Sequence, residues 1–126
     1  MAIVAAVFVA LAALLHVYIF LMESAWWTRP AIWRRFLLTS QAEAETTKPL
    51  AYNQGFYNLF LAVGAAVGLV LYFVGLEQAG VALILFSTAS MVLAAVVLTT
   101  TGPGRLKLAL TQGTLPLIGF ILFLFA

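Results

Sequence analysis

Apolar positions along this chain fall into four long blocks separated by short polar breaks. The first runs from Ala2 to Met22 with no charged residue before Glu23; the others span about 52–75, 79–99 and 106–126. Each is close to the ~20 residues that an α-helix needs to cross a hydrocarbon core. The second and third blocks are joined by the six-residue turn "GLEQAG", which forces an antiparallel hairpin, and "TTTGPGRLK" places Gly102, Pro103 and Gly104 as a break before the fourth. The pattern predicts an all-α chain: a four-helix antiparallel transmembrane bundle forming a single integral membrane domain over 1–126. The first block lacks the basic start and small-residue cleavage site of a secretory signal, so it is expected to be retained as a span.

Between the first and second blocks lies the main polar connection, "TRPAIWRRFLL" followed by "TSQAEAETTKPLA". Thr28 before Pro30 suits a helix start. Ile32, Trp33, Phe36 and Leu37 can share an apolar face opposite Arg34 and Arg35. The expectation is a short interfacial helix lying on the membrane, with a helical extension packed on the bundle as the alternative. Trp26, Trp27 and Trp33 are expected to act as interfacial anchors.

Composition sharpens the class. The 126 residues are 65% hydrophobic and 8% charged, where soluble domains carry about a quarter charged residues. Six basic residues against four acidic ones give too little charge for a nucleic-acid partner. All six, Arg29, Arg34, Arg35, Lys48, Arg105 and Lys107, fall in the first and third connections. The positive-inside rule then predicts that the basic loops are cytoplasmic, with both termini and the "GLEQAG" turn outside. Gly64 and Gly68, with Gly75 on nearly the same face, form a small-residue surface that Ser87, Ser90 and Ala94 can match; a homodimer seam is the alternative use.

Polar positions inside the spans are few. His16 and Glu23 are seven apart, nearly two helical turns, so they share a face within about 20° while standing about 10 Å apart along the axis. They cannot pair directly. The second span opens with Asn53, Gln54, Tyr57 and Asn58, and the last carries Thr111 and Gln112 near its start. All lie toward the basic end, and buried polar groups in a membrane turn toward the bundle interior or water. The candidate ligand-binding set is therefore His16, Glu23, Asn53, Gln54, Tyr57, Asn58 and Gln112. The structural alternatives are an interfacial ion pair between Glu23 and one of Arg29, Arg34, Arg35 or Lys48, and an interhelical hydrogen bond for His16.

His16 and Glu23 at the end of the first span, "NQGFYN" opening the second, and "TQG" with Pro116 in the last resemble a family of small bacterial four-helix membrane proteins grouped as a domain of unknown function. The resemblance runs over essentially the whole chain and rests most on "NQGFYN". It implies a compact four-span inner-membrane protein without an established activity, distinguishes His16, Glu23, Asn53, Gln54, Asn58 and Gln112, and supplies no substrate.

Several chemistries are excluded. There is no cysteine or aspartate and a single histidine, so no thiol nucleophile, Asp-containing triad or multi-histidine metal centre can form within one chain. No metal or other cofactor is expected. "TGPGR" lacks the frame of a phosphate-binding loop. Three classes remain: a protein that binds and moves a small molecule through a polar pocket, with His16 and Glu23 as proton or cation partners; a membrane-embedded enzyme using Glu23 or His16 as acid/base on a lipidic or small apolar substrate; and an accessory subunit of a membrane complex. The expected partners are the lipid bilayer, an unknown small molecule and a second copy of the chain.

Overall fold

A computed structural model describes all 126 residues. The chain forms α1 (Ala2–Phe20), prolonged by a π-helical turn (Leu21–Ala25), α2 (Pro30–Trp33) followed by a 3-10 turn (Arg34–Phe36), α3 (Gln41–Phe73), α4 (Glu77–Leu98) and α5 (Leu106–Leu124). There are no strands. α1 with its π turn, α3, α4 and α5 are each long and apolar enough to cross a membrane.

The four long helices stand in a ring. α1 packs on α3 and α5, α4 packs on the same two, and the α1–α4 diagonal is nearly without contact. Each helix turns inward a stripe at alternating spacings of three and four: Ala5, Val9, Ala12, His16, Ile19 and Glu23 on α1 and its π turn; Ala51, Gly55, Ala62 and Ala65 on α3; Ala109, Pro116, Gly119 and Phe123 on α5. That spacing is the one that lets helices pack nearly parallel in a bundle. The stripes are dominated by alanine and glycine, so backbones approach closely and dispersion replaces the hydrophobic drive that lipid removes.

The expected small-residue face forms within the chain. A methyl added at Gly64 would stand 2.6 Å from the Ser87 hydroxyl, one at Gly68 2.8 Å from Ile84, and one at Gly80 2.5 Å from the backbone nitrogen of Tyr72. Gly75 leaves this face. It takes φ +100° in the α3–α4 turn, a conformation that glycine adopts without steric cost. Ala94 is exposed and Ser90 only half-buried; Gly80, Ile84, Ser87, Met91 and Ala95 make the α4 stripe instead.

The largest departure from the expected layout is the start of the second long helix. α3 begins at Gln41, eleven residues before Tyr52, so the second half of the expected polar connection is part of the helix. Ser40 caps it by accepting from the Glu43 N–H, while the Glu43 carboxylate reaches back to the Thr39 N–H and hydroxyl. This is a variant of the capping box. Pro49 lies inside the helix and withholds the hydrogen bond that the Glu45 carbonyl would accept, at an exposed position where water can replace it.

The protruding part of α3 seats a second small core. Trp27, Trp33, Ala44 and Ala51 are buried together, with Phe36 and Leu38 against them. Trp27 donates its indole N–H to Thr47 at 3.1 Å, Trp33 to the Gln41 side chain at 2.9 Å, and Gln41 donates in turn to the Thr28 carbonyl. Two of the three tryptophans expected as interfacial anchors are thus core residues of a cap over the basic end. The short helix after Pro30 forms as expected, with Arg34 and Arg35 outward and Trp33 inward.

Candidate functional site

The α1 stripe delivers two ionisable side chains into the bundle. His16 is 2% exposed and Glu23 is 4% exposed. Glu23 sits in the π-helical turn, where the Trp26 N–H reaches back five residues to the Leu21 carbonyl. Single π-helical turns are frequent at functional sites. Beside it, Ser24 donates to the Tyr52 carbonyl of α3 at 2.8 Å. Gly55 permits that approach, because a methyl there would overlap the Ser24 hydroxyl.

Glu23 meets Asn58 across this contact. The Asn58 amide nitrogen donates to Glu23 Oε1 at 2.6 Å and, more weakly, to the Gln54 carbonyl at 3.3 Å. No cation joins them. Arg35 donates to the Tyr18 hydroxyl, Arg29 lies over the Trp26 ring, Arg34 lies over the Trp33 ring, and Arg105 donates to the Pro103 carbonyl. The interfacial ion pair that the sequence offered for Glu23 is therefore not made. One helical turn from Glu23, Phe20 packs edge-on against Phe56 with ring centroids 5.0 Å apart.

His16 bonds within its own helix. Nδ1 lies 2.9 Å from the Ala12 carbonyl, so Nδ1 carries the hydrogen and Nε2 presents a lone pair. The interhelical hydrogen bond that is the structural alternative for His16 is absent. Neither His16 Nε2 nor Glu23 Oε2 has a protein partner, and no fully occluded side-chain nitrogen or oxygen lacks one. Neither atom is therefore fully occluded, although their residues are buried.

Gln112 joins His16 by register. Gly119 of α5 packs on Val9 of α1. Seven residues toward the basic end on these antiparallel helices bring Gln112 level with His16. Gln112 is half-buried on the inward stripe. Pro116 lacks the N–H that would bond the Gln112 carbonyl in a regular α-helix.

The other three expected residues lie elsewhere. Asn53, Gln54 and Tyr57 are exposed, because the inward face of α3 is set by Ala51, Gly55, Asn58 and Ala62 and its neighbours turn outward. The seven residues do not line one pocket. The main cavities lie apart from His16, Glu23, Asn58 and Gln112: apolar grooves of about 580 and 460 Å³ between α1 and α3, depressions of about 440 and 400 Å³ around Glu77 and Gln78 at the start of α4, and a smaller apolar cleft of about 190 Å³ between α4 and α5, lined by Val92, Ala95, Ala109 and Gly113 among others. No group of histidine, aspartate, cysteine and glutamate is placed to hold a metal ion. Two polar features escaped the sequence reading. The Ser24–Tyr52 contact has no signal beyond Gly55, and buried Thr88 satisfies itself on the Ile84 carbonyl.

No curated protein and no solved structure matches the chain. A family model does, over residues 10–124, described as "Protein of unknown function (DUF1304)". The match takes in both ends of the polar track, from His16 and Glu23 on α1 to Gln112 on α5, and the chain belongs to this DUF1304 family.

Proposed function

We propose that this membrane protein binds a small cationic molecule at the Glu23–Asn58 pair and carries it across the bilayer. The observation that supports the reading best is the uncompensated carboxylate. Glu23 is buried, holds one neutral amide donor and has no basic partner, although three arginines stand within twelve residues of it in the chain. Keeping a carboxyl in such surroundings is costly unless a cation or proton from outside joins it. A ligand that presents an N–H to the free Oε2 supplies that partner. The neighbouring Phe20 and Phe56 offer ring faces that favour a cation.

His16 Nε2 and the Gln112 carbonyl, which Pro116 deprives of its regular helix donor, are a second acceptor position for the same ligand, about 10 Å further along the axis. Two acceptor stations at different depths are what stepwise passage needs. The six basic residues at one end orient the bundle with that end in the cytoplasm of a bacterial inner membrane. A path through four helices calls for a second copy of the chain to complete its wall.

The test is binding of a panel of small amines, guanidines and alkali cations to detergent-solubilised protein, read as saturable thermal stabilisation. At least one member should stabilise the wild type, with Asn58→Ala weakened and Glu23→Gln unresponsive. A panel that shifts the wild type and Glu23→Gln alike removes Glu23 from the site and leaves the pair as a packing device.

A further inference from the structure

On the outward face of the basic end, Tyr18 and Trp26 stand edge to face with ring centroids 6.4 Å apart. Each ring holds an arginine. Arg35 donates from Nη1 to the Tyr18 hydroxyl at 2.8 Å, and the Arg29 guanidinium lies 5.4 Å from the centre of the Trp26 ring. The two guanidiniums are thus tethered to two neighbouring rings, although their residues are 17 and 3 positions from those rings in the chain.

Neither charge is neutralised. Glu23 is taken by Asn58, Glu43 by Thr39 and Glu45 by Gln41, and Glu77 lies at the opposite end of the bundle. Arg35 has spent one of its five N–H donors, leaving enough for a two-pronged contact with an oxyanion. The depth also matters. The apolar helix formed by α1 and its π turn ends at Ala25, so Trp26 and Arg29 stand where the hydrocarbon gives way to headgroups. From the same site Tyr18, Leu14 and Leu11 continue down α1 as one exposed face, at helical spacings of four and three.

We propose that Arg29 and Arg35 hold the phosphate of an anionic phospholipid against the Tyr18–Trp26 pair, with an acyl chain laid along Leu14 and Leu11. A free phosphate has use for the guanidiniums but none for that apolar track. The site is independent of the Glu23–Asn58 reading.

The test uses the full chain in phosphatidylcholine bilayers and measures tryptophan quenching by phosphatidylglycerol with brominated acyl chains, against equally brominated phosphatidylcholine. Each arginine near the headgroups contributes about a fivefold preference for the anionic lipid. The wild type should therefore favour phosphatidylglycerol at least about fivefold. Arg29→Ala with Arg35→Ala should abolish the preference, while Arg34→Ala, which removes an equal charge from over Trp33, should keep it. Tyr18→Phe keeps every charge and loses only the oxygen that seats Arg35, so it should lower the preference without unfolding the protein. Equal quenching by both lipids, an Arg34→Ala loss as large as that of Arg35→Ala, or an unaltered Tyr18→Phe overturns the site. Displacement of the lipid by millimolar inorganic phosphate overturns its assignment to lipid.

Discussion

Replacing Gly80 by alanine tests how closely this bundle is built. In the middle of an exposed helix the change would be favourable, because alanine exceeds glycine in helix propensity by about 0.8–1 kcal/mol. Here the added methyl would stand 2.5 Å from the Tyr72 nitrogen, 2.8 Å from its Cα and 2.7 Å from the Gly68 carbonyl oxygen. All three are backbone atoms. No rotamer change relieves them, so α3 and α4 must part until the contacts exceed 3.4 Å, the ordinary range. Overpacking of this kind costs about 1–3 kcal/mol and sometimes more. It also loosens the whole small-residue seam, so the cost should outweigh the propensity gain, leaving a net loss of about 1–2 kcal/mol. Gly64→Ala on the same seam is the internal control. Its methyl meets the Ser87 hydroxyl at 2.6 Å, with the Ser87 Cβ already at 3.8 Å. A hydroxyl can swing aside, so that variant should lie within about 0.5 kcal/mol of wild type. Unfolding by titration with sodium dodecyl sulfate, followed by tryptophan fluorescence and far-UV circular dichroism, reads both. Equal stability of the two variants, or a Gly80→Ala protein as stable as wild type, would refute the claim that backbone contact fixes the α3–α4 distance.

Three other expectations follow from the hydrogen bonds. A double-mutant cycle with Glu23→Ala and Asn58→Ala should give a coupling energy of about 0.6–1.7 kcal/mol, the range for side-chain bonds between membrane helices; zero coupling would mean that the 2.6 Å bond is not made in the bilayer. Ser40→Ala should cost about 1 kcal/mol through the lost N-cap and raise amide exchange at Glu43 and its neighbours without touching the apolar part of α3. Unchanged exchange there would contradict the capped start. Trp27→Phe deletes the N–H bonded to Thr47 and part of the buried indole, so it should loosen the cap by about 1 kcal/mol or more and speed proteolysis between residues 28 and 40, whereas Trp26→Phe should not.

The apolar blocks made the four helices legible, because hydrocarbon allows few other solutions for runs of that length. The α1 stripe was legible too: a seven-residue spacing puts His16 and Glu23 on one face, and the structure buries both. The length of α3 was not. Its first eleven residues mix polar positions with alanines and contain Pro49, which reads as a connection, while the deciding signal is local: Ser40 followed three residues later by Glu43. The polar start of the second span divided for a geometric reason. Asn53, Gln54, Tyr57 and Asn58 are consecutive or four apart, so periodicity alone gives several inward faces; the choice is made by Gly55, whose missing side chain lets Ser24 dock. Indole rings beside arginines suggested anchors, and burial of Trp27 and Trp33 required the protruding helix that the sequence reading had not extended far enough to supply.

The measurement that bears most directly on the account is the unfolding free energy of Glu23→Gln with no ligand added. Glutamine keeps the shape and the oxygen that accepts from Asn58, and removes the uncompensated carboxylate. If Glu23 is retained to bind a cation rather than to hold the bundle, the variant should be as stable as wild type or more stable. A loss of more than about 2 kcal/mol, the scale of breaking a buried charged hydrogen bond, would show that the carboxylate is a structural element and would contradict the proposed role.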